Sequence, residues 1–384
     1  MTLRDVARAR ERSQRISHRR FPKPLEVVEW MGAIQAQDLP MSKTAVGARL
    51  SHASLRDLEV ALDEARILRT HALRPTWHLV TAADARGLLA LTAPHIRAAV
   101  RSRHRQLELV PRVLSRSARL LERALRDGVH LTREELTARY RAAGFATDDN
   151  RIAHLLMLAE LDCLICSGVA RGGTPTYALM DERVPPAPAL PRDEALAALA
   201  KTYFRSRGPA TVEDFAWWSG LPTGDARRAA DIVRGGFAEV RAGSRIFLAT
   251  ESSLDAVGTD PVVSLLPAYD ELLVSYADRS AAVANAEHAR IVMRNGFFRP
   301  IIVRNGRVIG TWRLRRARDA RTVETFPFTK FDATTGALVD GAARRLRGFL
   351  GFAEPRMDRR RPGRGCDARG AAALPREMGG RARR

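Results

Sequence analysis

Cysteine is scarce in this 384-residue chain, which contains Cys163, Cys166 and Cys366 and no others. Three cysteines cannot form the disulfide framework that holds small secreted proteins together. Cys163 and Cys166 have the spacing of half a zinc knuckle, but no second pair of cysteines or histidines follows at a usable distance. We therefore interpret the pair as small apolar residues at a helix end and in the strand after it, and we expect no metal.

Long apolar segments are also missing. No run of about 18 apolar residues occurs, so no membrane-spanning helix is expected. Residues 1–20 carry charges where a signal peptide needs an apolar region. These two absences predict a cytoplasmic protein that has no membrane partner.

The common catalytic signatures are absent as well. The chain has no Gly-x-x-x-x-Gly-Lys-Ser/Thr phosphate loop, no Gly-x-Gly-x-x-Gly, no Gly-x-Ser-x-Gly and no His-Glu-x-x-His. The reactions that depend on these motifs are not indicated, and no organic cofactor is expected.

Positive charge is what the chain has in excess. The formal net charge is +21 and the sequence pI is about 11.2. Residues 355–384 hold ten arginines against three acidic residues, so the rest of the chain keeps +14. An excess of this size outside the tail indicates a polyanionic partner such as nucleic acid. Arginine greatly outnumbers lysine, which suits phosphate recognition and is equally typical of a GC-rich genome.

The apolar pattern predicts an α+β chain of tandem winged-helix (helix-turn-helix) domains followed by a β-rich C-terminal domain. Thr132 and Glu135 have capping-box spacing, and Asn305-Gly306 is typical of a tight hairpin turn. Residues 3–20 are expected to form a basic helix with a solvated or phosphate-facing side. The predicted divisions are winged helix 1 with its basic helical extension (1–125), winged helix 2 (126–183), a Pro-rich linker (184–191), winged helix 3 (192–255), the β-rich domain (256–354) and a basic, disordered tail (355–384).

A short polar cluster follows the first amphipathic helix, where Gln35, Gln37 and Asp38 lie within four residues. Two glutamines two residues apart share a face only if the backbone is extended or turning. Pro40 is expected to keep Leu39 out of helical geometry. The same residues would also suit a helix cap and turn with surface glutamines, so the cluster alone leaves both interpretations open.

Three segments together resemble the AlkZ-like family of winged-helix DNA glycosylases. They are Met-Gly-Ala-Ile-Gln-Ala-Gln-Asp-Leu-Pro at 31–40, Arg-Thr-His-Ala-Leu-Arg-Pro-Thr-Trp-His-Leu-Val at 69–80, and Leu-Pro-Ala-Tyr-Asp-Glu-Leu-Leu-Val-Ser-Tyr-Ala-Asp-Arg-Ser at 266–280. The resemblance runs in the family's order from about Leu3 to Phe352. It implies excision of N-alkylated purines and unhooking of alkyl crosslinks, and it places this chain in the branch with Gln-x-Gln, rather than Gln-x-Asp, at positions 35 and 37.

This resemblance implies a monofunctional DNA glycosylase that acts on purines of the N7-alkylguanine type. Such a base is already cationic, so it leaves as a neutral molecule and needs little help from an acid. Gln35 and Gln37 are the expected catalytic residues, because amide oxygens can hold the attacking water and stabilise a positive sugar without titrating. Asp38 and His78 are auxiliary candidates.

The expected partner is double-stranded DNA that carries alkylated bases, bound by a monomeric protein. Candidates for phosphate contacts were chosen by their position in hairpins and motif segments: Lys43, Arg74, Arg151, Arg171 and Arg299. Each could instead be an ordinary exposed cation. The alternative function is a winged-helix DNA-binding protein without catalysis, either a regulator or an architectural factor. RNA binding has no aromatic stacking motif to support it.

Overall fold

The computed structural model describes residues 1–17, 20–186, 188, 190–255, 260–293, 296–317 and 320–352. Helices alternate with small antiparallel sheets, which confirms the mixed helix and sheet class. In this part of the chain, no helix has both the length and the apolar character needed to span a membrane. The predicted disordered tail, residues 355–384, lies outside the described residues.

The first 125 residues form helices around a three-stranded sheet, in which the strand at 77–81 lies between those at 34–35 and 67–71. Gln35 in the first of these strands lies opposite His78 in the central one. The elements are α1 (Leu3–Ser13), α2 (Pro24–Met31), β1 (Ile34–Gln35), α3 (Leu39–Gly47), α4 (Leu55–Asp63), β2 (Ile67–His71), β3 (Trp77–Thr81), α5 (Ala82–Ala99), α6 (Arg101–Gln106) and α7 (Pro111–Leu125).

The next two segments, residues 131–183 and 192–254, each combine helices with a hairpin. The Thr132 side chain accepts from the Glu135 N–H at 3.2 Å, and the Glu135 carboxylate accepts from the Thr132 N–H at 2.7 Å, as the capping-box spacing predicts. The elements are β4 (Leu131–Thr132), α8 (Arg133–Ala142), α9 (Arg151–Leu161), β5 (Ile165–Ser167), β6 (Thr176–Leu179) and α10 (Met180–Arg183), then α11 (Arg192–Arg207), α12 (Val212–Ser219), α13 (Thr223–Val233), β7 (Ala238–Ala242), β8 (Arg245–Ala249) and α14 (Glu251–Leu254).

The C-terminal part is a four-stranded antiparallel sheet of order β12-β11-β10-β9, with a long helix packed on it. Asn305 and Gly306 have φ of 51° and 77°, the positive values that the predicted tight turn requires. The elements are β9 (Val263–Leu266), α15 (Glu271–Val274), α16 (His288–Ile291), β10 (Ile301–Arg304), β11 (Arg307–Ala317), β12 (Ala320–Pro327) and α17 (Ala333–Phe349).

The N-terminal helix α1 lies inside the molecule, against α11, α14 and β11. The Arg10 side chain is 3% exposed and forms an ion pair with Asp214 at 3.1 Å. Its guanidinium also lies 3.6 Å from the centre of the Tyr276 ring. The expectation of a solvated or phosphate-facing side was therefore wrong for Arg10. Its charge is compensated by a residue 204 positions away, a pairing that no local pattern reveals.

Glu11 is a buried carboxyl group on α1, 3% exposed, and its Oε1 has no hydrogen-bond partner among the described residues. Burial raises the pKa of Glu11 to about 7, although the charges of Arg20 and Arg12 act in the opposite direction. A carboxyl group whose folded pKa lies above its unfolded value of 4.5 costs stability once it ionises. Folding stability should therefore decrease as pH rises from about 4.5 through 7.

Replacing Glu11 by glutamine removes this ionisation, so we expect Glu11→Gln to raise the free energy of unfolding at pH 8.5 by up to about 3 kcal/mol. The gain should shrink as the pH is lowered towards 4.5, where the unfolded chain also protonates this group. Urea unfolding of both proteins across this range measures the effect. Glu29→Gln, on the exposed side of α2, is the control. A variant less stable than wild type at pH 8.5 would contradict the prediction.

Candidate active site

The two glutamines lie where the first helix pair meets the sheet. Ile34 and Gln35 form β1, and the Ala36 N–H continues the pairing by donating to the Trp77 carbonyl at 2.7 Å. The backbone is thus extended as far as Ala36 and bends at Gln37 and Asp38, which agrees with the expected extended or turning segment. Gln35 is half-buried and Gln37 is exposed, so neither amide is enclosed in the core.

Asp38 ends the motif and begins α3. Its carboxylate accepts from the Met41 N–H at 3.1 Å, which makes it the N-cap of that helix. Leu39 is the first helical residue, so the expectation that Pro40 would exclude it was wrong. Pro40 lies in the first turn, where a backbone N–H has no partner within the helix and its absence costs nothing.

Gln35 is held at both its backbone and its side chain. Its N–H donates to Glu271 Oε1 at 2.7 Å, and its Oε1 accepts from Arg74 Nη2 at 3.2 Å. Arg74 belongs to the loop between β2 and β3, next to the strand that pairs with β1. The carboxamide therefore has a defined orientation, with its oxygen turned towards a cation.

Gln37 is held through the main chain. Arg69 donates from Nε to the Ala36 carbonyl at 3.0 Å and from Nη2 to the Gln37 carbonyl at 3.4 Å. The Arg69 guanidinium lies 4.3 Å from the centre of the Trp77 ring, which limits its movement. The backbone of the motif is fixed, while the Gln37 amide remains open to solvent.

Glu271 is the buried anion behind Gln35, 1% exposed. It accepts from Arg207 Nη2 at 2.8 Å, from Trp218 Nε1 at 3.2 Å and from the Ser275 hydroxyl, in addition to the Gln35 N–H. Burial by itself would raise the pKa of Glu271, but the charge of Arg207 and these hydrogen bonds outweigh it and lower that pKa to about 2. Glu271 is therefore ionised and fully partnered.

Asp270 forms a second buried ion pair next to the first. Arg49 contacts both oxygens of the Asp270 carboxylate, at 2.9 and 3.0 Å, and both side chains are 0% exposed. Asp270 and Glu271 lie in the segment 266–280, one of the three that resemble the family, but no role was predicted for either residue. The signal available was two acidic residues beside the apolar run Leu-Leu-Val at 272–274. Their arginine partners, Arg49 and Arg207, had no signal at all.

His78 lies opposite Gln35 on β3 and is 1% exposed. Its Nδ1 is 3.0 Å from the Thr76 carbonyl oxygen. Burial, together with the charge of Arg74, lowers the pKa of His78 to about 3. The imidazole is thus neutral at physiological pH and enclosed in the sheet. Its auxiliary catalytic role stays a prediction.

Of the five candidate phosphate contacts, Arg74 contacts the motif directly, through its hydrogen bond to Gln35. The others have different surroundings: Lys43 is paired with Glu59 at 2.8 Å, Arg171 with Glu135 at 2.9 Å, Arg151 donates to the carbonyls of Leu107 and Glu108, and Arg299 is exposed. Arginines that are already paired have less charge to offer a phosphate.

Trp217, on α12, is 46% exposed and lies between two arginines. The guanidinium carbons of Arg74 and Arg279 are 5.7 and 5.4 Å from its ring centre. Neither arginine forms an ion pair with any residue in the described ranges. Trp218, its neighbour, is buried as predicted for at least one of the two. The surface beside Gln35 therefore carries two guanidinium groups, while the anion of this region, Glu271, is buried behind Gln35.

A cleft of about 260 Å³ adjoins the other side of the motif. Leu39, Lys43 and Arg69 line it from the first 125 residues, and Gly168 and Thr176 line it from the hairpin of β5 and β6.

Cys166, on the hairpin of β5 and β6, is buried and Cys163 half-buried, and both are free thiols. Across the described part of the chain, no three His, Cys, Asp or Glu side chains are grouped to hold a metal ion.

Comparison with known proteins gives concordant results. The family model described as "DNA glycosylase AlkZ-like" matches residues 28–349. An "Interstrand DNA cross-link repair glycosylase" of Streptomyces sahachiroi is 27% identical over 338 residues, which is 81% of this chain and 87% of that protein. The solved structure of Streptomyces sahachiroi DNA glycosylase AlkZ has the same fold, with a TM-score of 0.77 at 23% identity over 91% of this chain and 97% of the other.

The family match covers both glutamines, both buried ion pairs and all three of the segments described from the sequence. It confirms the expected enzyme class over the alternative of a DNA-binding protein without catalysis. The chain belongs to the AlkZ-like DNA glycosylases.

Proposed function

We propose that this glycosylase hydrolyses the N-glycosidic bond of N-alkylated purines in double-stranded DNA, with Gln35 and Gln37 positioning the attacking water. The substrates are N7-alkylguanine-type lesions, including bulky and crosslinked ones. The relative from Streptomyces sahachiroi, whose name refers to repair of interstrand crosslinks, supports this range. The observation that carries the proposal is the pair of amides at the end of β1, with Gln35 oriented by Arg74 and Gln37, in the bend that follows, open to solvent.

The chemistry of the leaving group explains why neutral amides suffice. An N7-alkylated guanine already carries a positive charge, so breaking the glycosidic bond releases a neutral base and no general acid is required. The demanding part is the sugar, which develops oxocarbenium character and must meet water on the face opposite the base. Carboxamide oxygens can accept a hydrogen bond from that water and point a negative dipole at the sugar. The neutral, enclosed His78 fits a reaction of this kind.

Orientation of the amide oxygens is the protein's main contribution. Arg74 donates to one lone pair of Gln35 Oε1, which leaves the other available to water. Arg69 donates to the Gln37 carbonyl, so the backbone that carries the Gln37 side chain has a fixed position. A preoriented dipole stabilises a transition state without a cost of reorganisation. Asp38 is engaged as the cap of α3, and we assign it to that role.

The exposure of the motif suits lesions too large for a closed pocket. Most glycosylases extrude the base into a narrow cavity. Here Gln37 faces solvent, and the hairpin of β5 and β6 bounds the neighbouring cleft. We infer that the three segments that combine helices with a hairpin, residues 3–125, 131–183 and 192–254, act as winged helices that line the duplex. Arg74 and Arg279, which form no ion pair within the described residues, would lie near its phosphates.

Incubation with a duplex that contains one 7-methylguanine tests the proposal. We expect release of the methylated base and, as a monofunctional enzyme leaves the backbone intact, strand cleavage only after treatment with alkali. An unmodified duplex of the same sequence is the control, and a duplex with an N7-linked interstrand crosslink tests the wider range. DNA binding without release of any alkylated base would rule out the proposed substrate class.

A further inference from the structure

Tyr269 has a backbone conformation that bulky residues rarely adopt. Its φ is 59°, in the left-handed region that favours glycine. It lies between β9 and α15, directly before the two buried acidic residues. Such a conformation costs energy in a large aromatic residue, so the surrounding structure has to hold it in place.

Two buried ion pairs enforce that conformation. Asp270, the next residue, is paired with Arg49, and Glu271, the one after, is paired with Arg207. The side chains of all four are at most 1% exposed. The chain after Tyr269 is therefore fixed at two consecutive positions, and the tyrosine has little freedom to relax.

Tyr269 lies close to the glutamine motif, because Glu271, two residues further along the chain, accepts from the Gln35 N–H at 2.7 Å. Burial first and then the charge of Asp38 raise the pKa of Tyr269, in agreement with this position. The ring centre is 5.7 Å from that of Phe298 and 6.1 Å from that of Phe297. Phe297 is 54% exposed and Tyr269 half-buried, so this group faces solvent at the motif.

A chain of contacts leads from this aromatic group round to Gln35. Arg279 lies 5.4 Å from the Phe298 ring centre and 5.4 Å from that of Trp217. Arg74 follows, 5.7 Å from the same Trp217 ring, and donates to Gln35. The motif is thus bordered by a cationic side, Arg74 and Arg279, and an aromatic side, Tyr269, Phe297 and Phe298.

We propose that the aromatic side is the subsite for the modified base, with the base lying against the ring of Tyr269. This inference rests on the proposed function. Purines stack on aromatic side chains, and a cationic purine is drawn further to the negative face of the ring. A phosphate would instead go to the cationic side. The arrangement gives the base and the backbone phosphates different contacts near the motif, an aromatic one at Tyr269 and a cationic one at Arg74.

The variant Tyr269→Gly separates this role from a structural one. Glycine relieves the backbone strain at φ 59° while it removes the ring. We expect an unchanged or higher melting temperature and a single-turnover rate of 7-methylguanine release reduced about tenfold, the effect of losing one stacking ring. Tyr269→Phe, which retains the ring, should recover most of that rate. Asp127→Gly is the matched control, because Asp127 also has positive φ, 63°, and lies outside the candidate site.

A binding measurement keeps this inference distinct from the catalytic proposal. The probe is a duplex that carries 2′-fluoro-7-methylguanosine, in which the glycosidic bond resists cleavage. We expect wild type to prefer it over the unmodified duplex and Tyr269→Gly to lose that preference. Retention of both preference and rate in Tyr269→Gly would overturn the subsite, as would a lower melting temperature that accounts for the lost rate. A wild type that prefers the probe yet releases no base would support the subsite and overturn the catalytic proposal.

Discussion

Replacing Gln37 by alanine is expected to slow release of 7-methylguanine by about a hundredfold or more and to leave affinity for the duplex unchanged. The amide is exposed, so its removal should cost little stability. Its proposed partner is the water in the transition state, and the loss of one preoriented dipole of this kind typically costs a factor of about 100 to 1,000 in rate. Single-turnover release at saturating enzyme measures the chemical step without interference from binding.

Gln106→Ala is the matched control for that experiment. Gln106 is also an exposed glutamine, but it lies at the end of α6, outside the motif. Its loss should change neither rate nor affinity. If Gln37→Ala instead weakened duplex binding as much as it slowed release, the residue would be a DNA contact, and the water-positioning role would have to be abandoned.

Replacing Glu271 by glutamine is expected to lower the free energy of unfolding by roughly 3–5 kcal/mol, the usual effect of leaving one member of a buried ion pair unpaired. Arg207 is 0% exposed and would keep its charge with no carboxylate beside it. Base release should fall as well, because Glu271 also holds the Gln35 N–H at 2.7 Å. Urea unfolding at pH 7 measures the first effect and single-turnover release the second.

The pH dependence of the same variant provides an independent check. The folded pKa of Glu271, about 2, lies below its unfolded value of 4.5, so its contribution to stability is complete above about pH 4.5 and is lost as pH falls towards 2. Glu271→Gln lacks this titration and should lose less stability than wild type over that range. Asp193→Asn breaks an exposed ion pair with Arg228 and should have a much smaller effect at pH 7. Equal losses in the two variants would contradict the central role of the buried pair.

Local patterns in the sequence were sufficient for elements whose partners are close along the chain. The capping box of Thr132 and Glu135 spans three residues, and the turn at Asn305 and Gly306 depends only on the φ angles of those two positions. The strand at Gln35 and the bend at Gln37 agree with the extended or turning backbone expected from the spacing of the two glutamines. Leu39 was misassigned because the effect of Pro40 depends on where a helix begins, which the cap at Asp38 decides.

The ion pairs around the motif could not be predicted from local patterns. Arg49 and Asp270 are 221 positions apart, Arg10 and Asp214 are 204 apart, and Arg207 and Glu271 are 64 apart. In the sequence each arginine looks like one more contribution to a basic surface. Only packing shows which cations are enclosed and neutralised.

The sequence by itself determined the family, the class of fold and the position of the two glutamines, because these depend on residue order and on periodicities of a few residues. Only the tertiary structure decided that His78 is enclosed, that Glu271 holds Gln35, and that Arg74 donates to the Gln35 side chain. The physical reason is that burial and charge pairing depend on distances in space, and those distances are set by contacts between segments far apart in the chain.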